Sequence, residues 1–253
     1  ALPIYNSIKL VVISATMDDD EPIYRRYYRD INENLKYPIN ADLAVMQLDR
    51  INVDRRLHIA PPGFTTRYTI DEHYIPGKDP TDIVMEIVKK YSKGDILLFE
   101  PGSGEIKKRI EALNKLLPSN TIALPYFSDM SDTRKKFVQE IDKNIENYVY
   151  GKDVDYSLEI KDELIKSRVS TGTYTRAVIV ATNIAEASIT IKSLKFVIDT
   201  GTQKIAEYDA LSRTAKLKLG LISESSRLQR KGRVGRTSAG TVYYRSEEHT
   251  SEL

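Results

Sequence analysis

The feature that most constrains the fold is a regular alternation of short apolar strands and amphipathic helices that begins at Asp79. The strands are continuous apolar runs at 95–100, 121–126, 176–182 and 195–200. Uninterrupted apolar strands that alternate with helices are typical of a parallel sheet covered on both faces. The sequence therefore predicts an α/β fold with helices on both faces of a parallel sheet.

Three helices are predicted between these strands. Asp79 and Pro80 form an N-cap and first-turn pair, and Gly94 is expected to end the first helix. The second helix covers 103–118, and Ser131 is expected to begin the third. Their inward-facing residues are predicted from helical spacing to be Ile83, Ile87, Val88, Tyr91, Ile106, Ile110, Leu113, Leu117, Phe137, Val138, Ile141 and Ile145.

Two other stretches fit the pattern less directly. Residues 9–15 form a short apolar run that predicts a buried strand, and the residues after it predict a helix. Residues 148–175 are polar and are predicted to be an insertion or a surface excursion.

Composition excludes several kinds of site and of protein. The 253 residues contain no cysteine, which excludes disulfide frameworks and zinc ribbons. Three widely separated histidines make a histidine metal site a poor hypothesis, and the net charge of +2 indicates no polycationic tail. No apolar run reaches the length of roughly 18 residues that spans a membrane. We expect a soluble, monomeric, intracellular protein of the cytoplasm or nucleus, with no membrane partner and a viral origin left open.

Small polar residues follow each predicted strand, where parallel α/β sheets bind their ligands. They are Ser14-Ala15-Thr16, Pro101-Gly102-Ser103, Phe127-Ser128-Asp129 and Asn183-Ile184-Ala185-Glu186. Backbone N–H groups and hydroxyls of this kind can bind phosphate without a full positive charge. The pattern indicates an anionic ligand at this edge of the sheet.

The stretch LQRKGRVGRT, residues 228–237, places four positive charges and two glycines in ten positions. A nuclear import receptor, a nucleic-acid backbone and the terminal phosphate of a nucleotide are all possible partners. Arg233 and Arg236 are three residues apart, which would place them on one face of a helical turn. Arginine stays charged and binds phosphate through two N–H groups, and Gly232 and Gly235 permit close backbone approach.

Several stretches occur in the order seen in the superfamily 2 helicases, and the DEAH-box group in particular. SAT at 14–16, ATNIAEASITI through FVIDTG at 181–201, and QRKGRVGRT at 229–237 resemble motifs III, V and VI. GDILLFEPGSGEI resembles motif IV, while LPYFSDMSDTRKKF and ISESSRLQRKGRVGR resemble the segments that follow motif IV and precede motif VI. GRVGRTSAGTVYY is closer to the viral DExH NTPase-helicases, including those of large DNA viruses. The likeness covers about 68–244 well and 8–17 at the front.

The resemblance implies a RecA-like fold, ATP with Mg²⁺ as cofactors, and a role for individual residues. On the nucleotide side it implies that Arg233 and Arg236 reach the γ-phosphate, that Gln229 positions the attacking water, and that Ser188, Thr190, Phe137 and Gly201 contact the nucleotide. On the nucleic-acid side it implies backbone contacts from Thr182, Asn183, Gly102 and Ser128. Ser14, Ala15 and Thr16 would couple hydrolysis to domain movement, and Arg230 would make inter-domain contacts.

Three positions qualify this assignment. Lys192 stands where the cellular enzymes usually carry an acid that helps to bind the ribose, and Pro101 stands where a hydroxyl residue is common. Phe137 has the alternative role of a core residue on its helix. Each of these positions leaves one contact of the family open.

The resemblance also divides the chain. It implies a C-terminal remnant of a first RecA-like domain at 1–17, a helix and connector at 18–67, and the second RecA-like domain at 68–244. Residues 245–253 resemble the translation of a sequencing-library adapter. The sequence holds neither a G-x-x-x-x-G-K-[ST] phosphate loop nor a D-E-x-H motif, and the DEH at Asp71–His73 lacks the intervening residue.

We therefore expect part of an ATP-dependent helicase that acts on single-stranded nucleic acid, with RNA favoured over DNA, and that is inactive without a first RecA-like domain. The Mg²⁺ ligands would come mostly from that domain. Two alternatives stay open: a non-catalytic nucleic-acid-binding α/β module, and a superfamily 2 remodelling ATPase that does not unwind strands.

Overall fold

A computed structural model of the protein describes residues 68–145, 149–150, 172–209 and 214–246. The chain divides into two units after Pro62, and every element below lies in the second unit. The strand expected at 9–15, the helix after it, the residues Ser14, Ala15 and Thr16, and the tail from 247 onward lie outside the described residues.

Six parallel strands form the central sheet in the order β1-β10-β7-β2-β6-β3. These strands are β1 (Ile70–Tyr74), β2 (Asp95–Phe99), β3 (Thr121–Tyr126), β6 (Arg176–Ala181), β7 (Leu194–Asp199) and β10 (Gly240–Tyr244). Strands β2, β3, β6 and β7 are buried along almost their whole length, which is why they contain almost only apolar residues.

Helices cover both faces of this sheet. On one face, α1 (Pro80–Lys90) and α2 (Ser103–Leu116) pack Ile83, Ile87 and Ile106 against the strands. On the other face lie α3 (Asp132–Gln139), α4 (Ile141–Asn144), α5 (Ala185–Ser188) and α6 (Glu224–Lys231). The predicted α/β RecA-like class is confirmed by this arrangement of layers.

Two helix boundaries differ from the sequence prediction. Asp79 caps α1 as expected, its Oδ1 accepting from the Thr81 N–H at 2.7 Å, but the helix ends at Lys90 with Tyr91 as its C-cap. Gly94 lies beyond the helix, at a positive φ of 103°. The helix expected to run from Ser131 through Ile145 is divided at Glu140 into α3 and α4.

A hairpin and a further strand pair complete the described part. Strands β8 (Thr202–Asp209) and β9 (Thr214–Leu221) form an antiparallel hairpin between β7 and α6. Leu217 and Leu219 lie on one face of this hairpin and are 71% and 58% exposed. Strands β4 (Val149–Tyr150) and β5 (Gly172–Thr173) pair at the two ends of the polar stretch at 148–175.

Candidate functional site

The carboxyl ends of β2, β6 and β3 lie side by side because these strands are neighbours in the sheet. Gly102 follows β2, Thr182 and Asn183 follow β6, and Ser128 follows β3. Neighbouring strands are about 4.8 Å apart, so these four positions form a row about 10 Å wide along one edge. The strand order therefore places three of the post-strand loops named in the sequence analysis side by side.

Gly102 stands at the N-cap of α2, with Lys204 of the hairpin against it. Lys204 Nζ lies 2.9 Å from Glu105 Oε2 in the first turn of α2. A Cβ on residue 102 would lie 2.5 Å from Lys204 Nζ, so a side chain there would displace this lysine. A cation therefore borders the helix N-terminus at this edge, a feature that the sequence analysis missed.

Thr182 and Asn183 form the turn that leads from β6 into α5. The Thr182 N–H donates to the Tyr126 carbonyl at 3.2 Å, and the carbonyls of Thr182 and Asn183 accept from Ala185 and Glu186. The Asn183 side chain is exposed, and Thr182 is half-buried. Ser128 is exposed on the next loop, where its hydroxyl donates to Asp129 Oδ1 at 2.9 Å.

Arg230 is buried inside this domain, with 1% of its side chain exposed. Its Nε donates to Glu186 Oε1 at 2.7 Å, and its Nη1 donates to Asp199 Oδ1 at 2.6 Å. The guanidinium carbon lies 4.6 Å from the centre of the Phe99 ring. The prediction that Arg230 makes inter-domain contacts is wrong, because both acids and the ring belong to the same domain.

Arg233 and Arg236 lie after the end of α6, which has Gly232 as its C-cap. The prediction that both arginines lie on one face of a helical turn is wrong, because the helix ends before them. Each guanidinium is instead fixed by the carbonyl four residues before it: Arg233 Nε donates to Gln229 O at 3.3 Å, and Arg236 Nε donates to Gly232 O at 2.8 Å. Both side chains are thus oriented by the backbone of one turn.

A second contact ties each arginine to the segment after α5. Arg233 Nη1 donates to the carbonyl of Ile189 at 3.0 Å, and Arg236 Nη1 donates to the Thr190 hydroxyl at 3.3 Å. The described residues offer no hydrogen-bond acceptor to Nη2 of either guanidinium. Each arginine therefore keeps N–H donors available to a further oxygen ligand.

The electrostatics of this pair favour an anionic partner. Burial, and then the neighbouring charge of Arg236, lower the pKa of Arg233 to about 10, against the smaller opposing effect of Glu186. Burial alone lowers the pKa of Arg236. Both groups remain charged at neutral pH, and a bound phosphate would relieve the cost of holding them close together.

The other predicted nucleotide contacts occupy several different environments. Gln229 lies on α6 with its Nε2 3.4 Å from Ser225 Oγ, and Thr190 is exposed beside Arg236. Ser188 ends α5, and its side chain lies outside the described part. Phe137 is half-buried and packs against the core, in agreement with the alternative role given to it.

Gly201 is held by contacts within this domain. Its N–H donates to Asp199 Oδ1 at 2.8 Å, and its carbonyl accepts from Ile222 at 3.1 Å. Its φ is +74°, and a Cβ there would lie 2.7 Å from the Cβ of Ser246. The positive φ and the close approach of Ser246 explain why a glycine occupies this turn between β7 and the hairpin.

Lys192, the exposed residue in place of the usual acid, contributes its carbonyl to this region. That carbonyl accepts a hydrogen bond from the Thr237 hydroxyl at 2.7 Å. This bond holds the end of the arginine loop, residues 232–237, to the segment after α5.

Two acids of this region, Glu186 and Asp199, were given no individual role by the sequence analysis. They are buried, and both pair with Arg230. The nearest signal in the sequence was Arg230 itself, but its neighbours Gln229 and Lys231 are polar and do not indicate a buried arginine with acidic partners.

Within the ranges between 68 and 246 that the structure describes, no helix is long and apolar enough to cross a membrane. Among these same residues, no group of three or more histidine or acidic side chains is arranged to hold a metal ion.

Comparisons with known proteins agree with this geometry. Residues 153–238 match the model of the helicase conserved C-terminal domain. The chain is 46% identical over 251 residues to R366 of Acanthamoeba polyphaga mimivirus, a protein whose name assigns it to the ATP-dependent RNA helicases. It is 28% identical over 242 residues to the ATP-dependent RNA helicase HrpA of Escherichia coli K12. Both matches cover 94% of this chain, but only 14% of R366 and 15% of HrpA.

Solved structures show the same fold. The DExH-box NTPase HrpB of Escherichia coli superposes with a TM-score of 0.53 at 22% identity, over 74% of this chain and 21% of that one. The fold, the order of the motifs and the sequence matches agree with one another. This chain belongs to the DEAH/DExH-box group of superfamily 2 helicases and contains the helicase C-terminal domain of that group.

Proposed function

We propose that the complete protein containing this chain is an ATP-dependent RNA helicase, and that residues 68–244 are its second RecA-like domain. In this proposal Arg233 and Arg236 stabilise the charge that develops on the γ-phosphate of ATP held by another domain. The observation that supports it best is the pair of guanidinium groups, each fixed by two oxygens and each with N–H donors still available.

The chemistry of phosphoryl transfer explains why such a pair is useful. The transferring group spreads negative charge over its equatorial oxygens, and catalysis depends on positioning and on charge stabilisation. Arg233 and Arg236 are fixed before any ligand binds, so little reorganisation is needed when that charge develops. Gln229, on the last turn of α6 before the arginines, is proposed to orient the attacking water.

The residues present fit one side of an ATP site. Guanidinium donors and the hydroxyl of Thr190 suit phosphate and sugar oxygens. Ser188 comes after β6 and Gly201 comes after β7, at the same carboxyl edge of the sheet. We propose that the Mg²⁺ ligands come mostly from another part of the complete protein. We propose that this chain alone does not hydrolyse ATP at a useful rate.

The RNA backbone is proposed to lie along the row formed by Gly102, Thr182, Asn183 and Ser128. Backbone N–H groups and small polar side chains at this row can bind phosphate and sugar oxygens without reading base identity. Asn183 offers an exposed amide, while Ser128 lies beside the carboxylate of Asp129, which opposes a phosphate there. Asn183 is therefore proposed as the stronger of these two contacts.

The test is a double substitution, Arg233→Ala with Arg236→Ala, in the complete protein. The proposal expects ATP hydrolysis to be lost while binding of single-stranded RNA is retained. Loss of RNA binding alone would instead identify a nucleic-acid-binding module without catalysis. Retention of hydrolysis would exclude the assigned role of both arginines.

Two further assays separate the remaining alternatives. Stimulation of ATP hydrolysis by single-stranded RNA but not by single-stranded DNA would support the RNA assignment, and the reverse would overturn it. Release of a labelled strand from a partial duplex distinguishes a helicase from a remodelling ATPase that hydrolyses ATP without separating strands.

A further inference from the structure

Glu72 on the edge strand β1 contacts the helix that precedes the two arginines. Its Oε1 accepts a hydrogen bond from Lys231 Nζ, and its Oε2 lies 3.3 Å from Arg227 Nη1. Oε2 also accepts from the Tyr244 hydroxyl at 2.9 Å. A single carboxylate thus joins β1, β10 and α6, although residues 72 and 231 are distant in sequence.

This contact lies on a different side of α6 from the buried ion pairs. Arg227 and Lys231 are four residues apart and share a face of the helix, whereas Arg230 points towards Glu186 and Asp199 in the interior. The helix is therefore held by acids on two sides. Arg227 is further fixed by Glu224, whose two oxygens accept from its Nε and Nη2.

The end of α6 determines where the arginine loop begins. The N–H of Arg233 donates to Arg230 O at 3.1 Å, and the N–H of Val234 donates to Lys231 O at 3.2 Å. Any rotation of the last helical turn would therefore move the backbone from which Arg233 extends. Lys231 belongs to that turn, and Glu72 binds its side chain.

The environment keeps the Glu72 carboxylate charged. Burial raises the pKa of Glu72. Hydrogen bonds from Lys231 and Tyr244, together with the charges of Lys231 and Arg227, lower it by more, so the pKa lies below its usual value. The side chain of Glu72 is 28% exposed although its strand is exposed, so solvent screens these contacts less than it would for a fully exposed carboxylate.

We infer that Glu72 is a positioning residue for Arg233 and Arg236: it holds the last turn of α6 through Lys231 and Arg227, and thereby sets the placement of the two guanidinium groups. This inference rests on the proposed function. Glu72 touches neither the nucleotide nor the RNA in this account, and its effect passes through the helix.

The experiment substitutes Glu72→Gln in the complete protein and measures RNA-stimulated ATP hydrolysis. Glutamine preserves the size of the side chain and an acceptor for Tyr244, but removes the charge that binds Lys231. We expect kcat to fall by about tenfold, because small misplacements of catalytic groups reduce rates by up to about a hundredfold. The KM for ATP, the Kd for RNA and the thermal midpoint are expected to stay unchanged.

A matched control and a second variant make this result specific. Asp71→Asn removes the neighbouring charge on the same strand and is expected to leave kcat unchanged. Lys231→Met should lower kcat as Glu72→Gln does, and the double variant should be no worse than either single one. Amide hydrogen exchange at residues 232–236 should become faster in Glu72→Gln.

The outcomes separate this inference from the proposed function. If Arg236→Ala abolishes hydrolysis while Glu72→Gln has normal kcat, the positioning role is overturned and the helicase assignment stands. A fall in kcat matched by an equal loss of folded protein would also overturn it. If Arg233→Ala with Arg236→Ala keeps hydrolysis, the proposed function itself is wrong.

Discussion

Arg236 donates a hydrogen bond to the hydroxyl of Thr190, 3.3 Å away, and so joins the arginine loop to the segment that follows α5. The neighbouring contact from Arg233 to the Ile189 carbonyl joins the same two segments. The segments that resemble motifs V and VI, at 181–191 and 229–237, are therefore in contact. A ligand that contacts either arginine will also affect the segment at 189–190.

The first prediction concerns the chemistry of Arg236. Arg236→Lys keeps the charge but loses the planar group that can bind Thr190, Gly232 and phosphate together. If Arg236 has the proposed role, we expect kcat for ATP hydrolysis by the complete protein to fall by about a thousandfold in Arg236→Ala and by nearly as much in Arg236→Lys, as is typical of an arginine finger. RNA binding, measured by fluorescence anisotropy, should be unchanged in both.

Lys115→Ala is the matched control, because Lys115 is an exposed cation on α2 paired only with Glu111 among the described residues. Its substitution should change neither kcat nor RNA binding. Full activity in Arg236→Lys would show that charge alone is needed and would contradict the role of the planar group.

The second prediction concerns the buried ion pairs of Arg230. Arg230→Met leaves Glu186 and Asp199 without their cation in the interior, so the free energy of unfolding should fall by about 3–5 kcal/mol. Urea unfolding of the 253-residue chain measures this change. The triple variant with Glu186→Gln and Asp199→Asn should recover part of the loss, because no unpaired buried charge remains.

Lys218→Met serves as the control for Arg230→Met, since Lys218 lies on the exposed hairpin. Its stability should stay within about 0.5 kcal/mol of the unsubstituted chain. If Arg230→Met changed stability as little as this, the burial of Arg230 would be contradicted.

The third prediction compares two glycines. Gly235 has a φ of +74° between Arg233 and Arg236, so Gly235→Ala should lower the free energy of unfolding by about 1–3 kcal/mol and lower kcat by disturbing both arginines. Gly104 lies inside α2 with open space at its Cβ, so Gly104→Ala should raise stability by about 0.5–1 kcal/mol. Calorimetry measures the change in stability of each variant. Destabilisation by Gly104→Ala would contradict the described geometry of α2.

The fourth prediction is a pH dependence at Asp79. Burial raises the pKa of Asp79. Hydrogen bonds from Thr81 and the charge of Arg109 lower it by more, so the pKa lies below its usual value. A lowered pKa in the folded state means that the carboxylate stabilises the fold above its unfolded pKa of about 3.9. This contribution should be lost as the pH falls through the folded pKa.

Asp79→Asn tests this prediction because asparagine can still cap α1 but cannot carry the charge that Arg109 binds. Denaturant unfolding at several pH values from about 6 down to about 3 should show the two proteins converging in stability towards acid. Glu111→Gln, on the exposed face of α2, is the control. A constant difference between Asp79→Asn and the unsubstituted chain over this range would contradict the account.

The buried strands and the capped first helix were predictable from the sequence because one physical signal dominates each. Strands β2, β3, β6 and β7 lie under helices on both sides, so apolar residues fill them without interruption. The hairpin of β8 and β9 lacks this signal, since its alternating Lys and Leu residues face solvent. Strand β1 is exposed along most of its length and was missed for the same reason.

The site was predictable as a set of loops but not as a set of side-chain contacts. Parallel strand ends meet by geometry, which is why Gly102, Thr182 and Ser128 come together as expected. The environment of Arg230 could not be predicted from charge spacing, since burial depends on how α6 packs on β7. The turn at Arg233 and Arg236 depends on where α6 ends, and Gly232 gave only part of that signal.

The buried ion pairs of Arg230 also have a consequence for how this sequence can change over time. Glu186, Asp199 and Arg230 are separated by as many as 44 residues, but one guanidinium is the partner of both carboxylates in the interior. A neutral substitution of Arg230 leaves two buried acids without their cation, whereas a neutral substitution of either acid leaves Arg230 paired with the other. Lineages of this chain should therefore lose Arg230 only together with or after the acids, and descendants that keep Glu186 and Asp199 without Arg230 should be rare.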